Sequence, residues 1–218
     1  MSSGPATQAT GTPGATSERG RLGPMLTVVT TFSFLGSNSR ATRPSQPSVP
    51  TLIGSQVCQI SIARKLKNIA QTHIAEIGSR IFYCDHSTFD THAGQAPGHA
   101  ALWKAVSEGV EAFFKDLREH NKSQNVIMLM FSEFGRRVRD NGSGTDHGAG
   151  GVAFVLGEKV KGGHYGEMPS LKPEHLVQGD LNPNMDFRSV YSTILDKWLK
   201  LNPAPIVNGT FEQPAFLQ

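Results

Sequence analysis

The chain has 218 residues, enough for one domain with a sizeable core and an extension beyond it. Its 21 Lys and Arg residues against 18 Asp and Glu residues leave a formal net charge of only +3, and the basic residues are scattered, so nucleic-acid binding is not indicated. The two cysteines, Cys58 and Cys84, lack CxxC spacing, which argues against a disulfide framework, and no apolar stretch reaches the roughly 18 residues of a membrane span.

Residues 1–50 are rich in Ser, Thr, Gly and Pro and contain few large apolar side chains. Such a segment buries too little surface to offset its ordering entropy, so we predict that it is disordered. An apolar patch at residues 25–36 follows Arg19 and Arg21 in the manner of a signal peptide, but it starts late and lacks a small-x-small cleavage site. A cytoplasmic location is therefore the default expectation.

The pattern from residue 51 onward predicts an α/β domain over residues 51–201. Apolar residues at near-helical spacing predict an amphipathic helix over 51–78 that stops at Gly78. A β-rich run at 80–84, a second helical pattern at 99–120 and an apolar run at 126–131 then read as a strand, a helix and a strand. Since such crossovers are right-handed, the polar residues that follow both strands should emerge at one sheet edge.

The remainder of the domain is predicted to contain one more buried strand and a closing helix. The strand is an apolar run at 152–156, and a Gly-rich loop follows it through Leu181. Asp186 is placed to cap the helix, whose apolar stripe recurs at positions i, i+3, i+4 and i+7: Phe187, Val190, Tyr191, Ile194, Leu195, Trp198 and Leu199. Residues 202–218 show no pattern and are predicted to form an irregular tail.

Ligand-type side chains cluster where the predicted strands end. Asp90 and His92 follow the first strand, Glu133 follows the second, and Asp146 and His147 lie in the Gly-rich stretch after it. Mixed carboxylate and imidazole groups suit Zn, Mn or Fe, so these residues form a candidate metal site. The alternatives are an Asx-stabilised turn for the first pair and a salt bridge to a nearby arginine for Glu133.

Arg136 and Arg137 form a candidate anion-binding pair. Guanidinium groups match the geometry of phosphate and sulfate, so the two side chains would clamp a tetrahedral oxyanion. The alternative is a solvated charged loop that also includes Arg139 and Asp140.

Several motifs occur in a specific order, namely FDTHAGQ, then FSEFGRRVRDNGSGTDHGAGGVAFVLGEKVKGGHYGEMPSL, then GDLNPNMDFRSVYSTILDKWL. Over roughly residues 60–201 the chain resembles the exported bacterial family called domain of unknown function 1501, which is usually placed in the alkaline phosphatase and sulfatase superfamily. The resemblance implies an alkaline-phosphatase-like sheet with flanking helices. It also implies metal ligation by Asp90, His92, Glu133 and His147, with Asp146 beside the last.

The superfamily uses two metals to activate a phosphate or sulfate ester toward a Ser, Thr or formylglycine nucleophile. Its first strand supplies the nucleophile, and family members carry a long N-terminal half that residues 1–50 do not resemble. Ser87 and Thr88 do not occupy the nucleophile position. The chain is therefore expected to be an incomplete, C-terminal half of the fold whose open sheet edge favours self-association.

The sequence thus predicts a domain that holds a divalent metal ion, Zn or Mn, and that is related to hydrolases of small-molecule or glycan phosphate or sulfate esters. Without the nucleophile-bearing half, its catalytic competence is in doubt. The alternative is a non-catalytic anion-binding or structural module that retains the fold.

Overall fold

The computed structural model describes residues 25–30 and 61–217, and these form an α/β fold with two sheets. The six strands are β1 (Met25–Thr30), β2 (Ile81–Asp85), β3 (Val126–Phe131), β4 (Gly135–Asp140), β5 (Thr145–Gly148) and β6 (Phe154–Leu156). The four α-helices are α1 (Ile62–Ile74), α2 (Gln95–Glu119), α3 (Phe187–Thr193), which continues as a π-helical segment at Ile194–Trp198, and α4 (Ala204–Val207).

The larger sheet has the strand order β2-β1-β3-β6. Because β1 pairs in parallel with both β2 and β3, these two strands run in the same direction, and the chain leaves both at the same sheet edge. The prediction of one common edge is confirmed. The prediction of disorder over residues 1–50 is wrong for Met25–Thr30, which forms one of the two inner strands. The other residues of that segment lie outside the described ranges.

The central position of β3 explains its unbroken apolar sequence. Val126 and Met128 pack into a core with α1 and α2, whereas Ile127 and Leu129 pack into a second core with the π-helical segment. All four side chains are buried, as expected for a strand with helices on both faces. The predicted bounds of the strand, 126–131, are confirmed, and its first four residues are buried whereas Met130 and Phe131 are partly buried.

The first helix is shorter than its apolar pattern predicts. Ser61 caps its N-terminus by accepting a hydrogen bond from the Arg64 N–H, and residues 51–60 lie outside the described ranges. The helix ends at Ile74 rather than at Gly78, because Glu76 takes a left-handed backbone conformation with φ of 55°. Ile77 therefore lies beyond the helix and is exposed.

The predicted bounds of three other elements need correction. The first predicted strand lies one residue later, at Ile81–Asp85, and α2 begins four residues before His99. The strand predicted at 152–156 covers only Phe154–Leu156, and it pairs antiparallel with β3 as an edge strand. Val152 is exposed because it precedes this short strand.

Strand β2 forms the other edge of the larger sheet, and it presents exposed Ile81 and Tyr83. An apolar edge of this kind offers unpaired backbone groups to another chain. Self-association through it stays a prediction. On the same strand, Cys84 is a buried thiol, and burial raises its pKa to about 11.

The C-terminal region closes the second face of the sheet. Asp186 caps α3 as predicted, accepting a hydrogen bond from the Arg188 N–H at 2.9 Å, although Phe187 itself is exposed. The Trp198 indole donates to the Met25 carbonyl at 2.9 Å, which fastens the π-helical segment to β1. The predicted irregular tail instead contains α4, and it buries Phe216 and Leu217 in the second core.

None of the helices within residues 61–217 combines the length and the hydrophobicity that crossing a bilayer requires.

Candidate metal centre

A β-hairpin carries the candidate metal ligand His147. Strands β4 and β5 form a separate antiparallel sheet in which Arg136 pairs with His147, and the turn between them is closed by a hydrogen bond from Asn141 N–H to the Gly144 carbonyl. The sequence analysis predicts no strand in this stretch, so both strands of the hairpin were missed. The hairpin returns the chain toward the segment that follows β2.

Gly135 allows the hairpin to pack closely. A Cβ atom added at Gly135 would lie 2.5 Å from the Gly148 carbonyl oxygen and 2.8 Å from the Gly150 carbonyl oxygen. Both contacts are with backbone atoms, which cannot rotate away as a flexible side chain would. Glycine at position 135 is therefore a steric requirement of the hairpin.

We expect Gly135→Ala to lower the free energy of unfolding by about 1–3 kcal/mol, because the methyl group would push β4 away from its neighbours. Gly151→Ala is the matched control, since a Cβ atom there meets only the Gly135 Cα, at 3.9 Å. Denaturant unfolding of both variants measures the difference. Equal stability of the two variants would contradict the packing described for this hairpin.

Three ligand-type side chains converge where the hairpin meets the segment after β2. One Asp90 Oδ1 atom lies 2.9 Å from His92 Nε2 and 2.7 Å from His147 Nε2. One ligand atom from each of the three residues lies within 4.8 Å of the other two. Within residues 25–30 and 61–217, this is the one cluster of three or more such side chains with this spacing.

The His92 ring lies between two carboxylates. Its Nδ1 lies 3.2 Å from Asp146 Oδ1, and its Nε2 lies 2.9 Å from Asp90 Oδ1, so a carboxylate faces each ring nitrogen. A neutral imidazole has one N–H and can donate to only one of them. A metal ion bound at Nε2 would satisfy the contact that the single N–H leaves over.

Asp146 lies outside the three-residue cluster and contacts it through His92. Asn141 donates to the same Asp146 oxygen at 3.0 Å, and its side chain also donates to the His92 carbonyl. The hydrogen bond that Asn141 donates to the Asp146 carboxylate is the main reason that the pKa of Asp146 is lowered, and the hydrogen bond from His92 is the second. Both keep the carboxylate ionised. A carboxylate that fixes the second nitrogen of an imidazole is the usual outer partner of a metal-binding histidine.

His147 is held by stacking as well as by its hydrogen bond. Its ring lies 4.2 Å from the Phe134 ring at an angle of 16°. The side chains of His92 and His147 are 47% and 42% exposed, whereas that of Asp90 is 19% exposed. The cluster thus has a protein side, built by Asp90, and a side open to solvent.

Glu133 is exposed in the bend between β3 and β4, and the three-residue cluster does not include it. Glu133 was predicted to be a metal ligand because its carboxylate was expected at the edge of an apolar core. An exposed carboxylate avoids that desolvation cost, so its position alone no longer indicates ligation.

The two candidate anion-binding arginines have different surroundings. The Arg136 guanidinium donates to the Thr145 and Phe89 carbonyls, each at 2.7 Å, and stacks over Phe134. Arg137 is half exposed and lies 3.5 Å from Asp180. Arg136 is thus engaged in joining the hairpin to the segment that carries Asp90.

A polar cavity of about 580 Å³ adjoins the cluster at Asp146. Arg137 and Arg139 line it together with Asn141 and Gln178. The Asp140 and Asp146 carboxylates also line the cavity, so they balance the formal charge of the two guanidinium groups there.

Sequence reasoning missed Asn141 and Phe134 as parts of this centre. Asn141 was within reach of prediction, because Asn141-Gly142 is a turn dipeptide typical of a hairpin. Ser87 and Thr88, the hydroxyl residues near the site, lie in the segment between β2 and α2 that also carries Asp90 and His92. The Thr88 hydroxyl donates a hydrogen bond to the Ser87 carbonyl.

Comparison with known proteins identifies one matching family model, described as a protein of unknown function (DUF1501), over residues 41–207. No curated protein matches the chain.

Proposed function

The chain belongs to the DUF1501 family, and we propose that it holds one divalent transition-metal ion, Zn or Mn, through Asp90, His92 and His147. The observation that carries this proposal is the contact of one Asp90 oxygen with the Nε2 atoms of two histidines. These contacts of 2.7–2.9 Å are slightly shorter than the roughly 3.3 Å that separates ligands in a tetrahedral site with bonds of about 2.0–2.1 Å. A small outward movement of the two exposed rings accommodates the ion.

The number of ligands favours a site that also binds a substrate or water. Structural zinc sites use four protein ligands, whereas catalytic sites use three and leave one position open. The solvent-exposed faces of His92 and His147 leave such a position here. Asp146 supports the assignment further, because it fixes His92 through Nδ1 and leaves Nε2 for the ion.

We propose small-molecule or glycan phosphate or sulfate esters as the ligand class, in an alkaline-phosphatase-like domain. A bound divalent ion polarises the ester oxygen and stabilises the charge that develops there. Arg137 and Arg139, which line the cavity beside Asp146, would donate hydrogen bonds to the other oxygens of the anion. Arg136 orients Asp90 indirectly, because it binds the carbonyl of the preceding residue, Phe89.

The alternative function is a non-catalytic structural or anion-binding module. It is favoured by one observation, the use of the Arg136 guanidinium to bind two backbone carbonyls. In that case the Asp90 cluster would keep its hydrogen bonds and do no chemistry. Metal content separates the two functions only in part, because a structural module can also hold an ion, whereas turnover of an aryl phosphate or aryl sulfate separates them fully.

We expect the metal-loaded chain to hydrolyse aryl phosphates and aryl sulfates weakly or not at all. The proposed site holds one ion, whereas two-metal hydrolysis needs two ions and a placed nucleophile. Positioning losses of even about 1 Å cost on the order of 10²-fold in rate. Initial rates with one ester of each kind, across several divalent metals, measure the activity.

The control for this assay is His147→Ala, which removes one proposed ligand. Saturable turnover that disappears in the variant would contradict the expected weak activity, and the nucleophile would then be either a metal-bound water or a hydroxyl group of the chain. Ser87 and Thr88 would then be the first residues to replace.

A further inference from the structure

The two histidines of the cluster are held in different ways. Both direct Nε2 at Asp90, but the Nδ1 of His92 lies 3.2 Å from Asp146 Oδ1, so a carboxylate fixes that ring at its second nitrogen. Within residues 25–30 and 61–217, no protein group bonds to the Nδ1 of His147. A metal-binding histidine almost always has its second nitrogen fixed by a hydrogen-bond partner. Among the described side chains, a contact of another kind therefore orients His147.

The Phe134 ring supplies that contact. Its centroid lies 4.2 Å from the centroid of the His147 ring, and the two planes meet at only 16°, so the rings are stacked. Aromatic pairs attract each other beyond the effect of the area that they bury. The His147 side chain is 42% exposed, so burial alone does not restrict its rotation. The flat contact with Phe134 does.

Phe134 is in turn held by Arg136. The guanidinium carbon lies 4.8 Å from the centroid of the Phe134 ring, and the two terminal nitrogens donate to the Phe89 and Thr145 carbonyls. A guanidinium over an aromatic ring is attracted by the electrons of the ring, and two hydrogen bonds to the backbone keep this one in place. The orientation of His147 is thus fixed to the backbone through Phe134 and Arg136.

We infer that Phe134 is the positioning residue of His147, and that its ring does for this histidine what Asp146 does for His92. As a statement about metal affinity the inference rests on the proposed function, whereas the orientation of the imidazole is a property of the metal-free chain. An imidazole that rotates spends only part of its time with Nε2 toward Asp90, and the apparent metal affinity falls by that fraction. The strength of a stacked aromatic pair corresponds to a factor of about 3 to 10.

The first test compares the zinc affinities of Phe134→Leu and Phe134→Tyr in the full-length chain, by competition with a chromophoric chelator. Leucine keeps an apolar side chain without a flat ring, whereas tyrosine keeps the ring. We expect the affinity to fall about 3- to 10-fold in Phe134→Leu and to be recovered in Phe134→Tyr. Equal affinities of the wild type and Phe134→Leu would overturn the inference.

Phe187→Leu is the matched control for this test. Phe187 is 65% exposed, and its ring contacts that of Tyr191 rather than a histidine of the cluster. This variant should bind zinc as the wild type does. An equal loss of affinity in Phe187→Leu and Phe134→Leu would show that the effect is not specific to the stacked ring, and would overturn the inference.

NMR of the metal-free chain distinguishes positioning from a general disturbance of the fold. The histidine rings are labelled, and the His147 signals are assigned with His147→Ala. Because of the adjacent Phe134 ring, the His147 ring protons should be shifted upfield in the wild type and in Phe134→Tyr. In Phe134→Leu they should move toward the positions of exposed histidines, whereas those of His92 move much less. No movement for His147, or equal movement for both histidines, would overturn the inference.

The two measurements separate this inference from the proposed function. A wild-type chain that binds no zinc, with His147 signals that still depend on Phe134, would remove the proposed metal site and leave the positioning of His147 in place. A wild-type chain that binds zinc no more tightly than Phe134→Leu does would remove only the role of Phe134.

Discussion

Replacing both His92 and His147 by alanine should abolish binding of a divalent transition-metal ion to the chain. Each substitution removes one Nε2 atom that contacts Asp90, so the double variant would keep only one of the three proposed ligands. Loss of an outer partner alone typically costs 10- to 100-fold in affinity, so the loss of two ligands should exceed about 100-fold. Metal analysis after dialysis, with calorimetric titration of zinc, measures the effect.

The matched control for this experiment is the double variant His164→Ala with His175→Ala. Both histidines are exposed in the long loop between β6 and α3, and neither belongs to the cluster. This control should keep the stoichiometry and affinity of the wild type. Equal metal content in the wild type and in the His92 and His147 double variant would rule out the proposed site.

The largest effect on stability is expected for Arg136→Ala. Its guanidinium makes two charge-assisted hydrogen bonds of 2.7 Å, to the Thr145 and Phe89 carbonyls, and stacks over Phe134 at 4.8 Å. Hydrogen bonds to charged groups contribute more than neutral ones, and this side chain is only partly exposed. We therefore expect the free energy of unfolding to fall by about 2–4 kcal/mol.

The adjacent Arg137→Ala provides the control, because its 3.5 Å contact with Asp180 is made by a side chain that is 43% exposed. We expect a change of less than about 1 kcal/mol for that variant. Arg136→Lys should recover only part of the loss, since a single ammonium group cannot span both carbonyls. Similar destabilisation by the two alanine variants in denaturant unfolding would contradict the structural role of Arg136.

These expectations depend on elements that the sequence predicts with different success. Strand β3 was predictable because its apolar residues are buried on both faces and so form an unbroken run. The stripe of the C-terminal helix was predictable for the complementary reason, since one apolar face at helical spacing covers the sheet. In both cases the local pattern and the tertiary packing agree.

Strand β1 was not predictable from composition. Residues 25–30 lie in a segment rich in Ser, Thr, Gly and Pro, and their partner strands begin more than 50 residues further along the chain. Pairing with two distant strands overrides the local signal. The β4–β5 hairpin was missed for another reason, because its strands carry charged residues where a half-buried strand would alternate with apolar ones.

Within the site, residue type and strand direction together were sufficient to predict that Asp90, His92 and His147 lie close together. The parallel strands β2 and β3 deliver their following segments to one edge, and the cluster forms there. They were insufficient for Glu133 and Arg136, because the direction of a side chain after a strand depends on the bend that follows. The bend exposes Glu133 and turns Arg136 toward two backbone carbonyls.

Anomalous diffraction from crystals of the chain loaded with zinc tests the central claim most directly. We expect one anomalous peak at about 2.0–2.1 Å from the Nε2 atoms of His92 and His147 and at about 2.0–2.2 Å from a carboxylate oxygen of Asp90. A zinc ion bound to other residues, or the absence of a peak at this cluster in fully loaded crystals, would contradict the account.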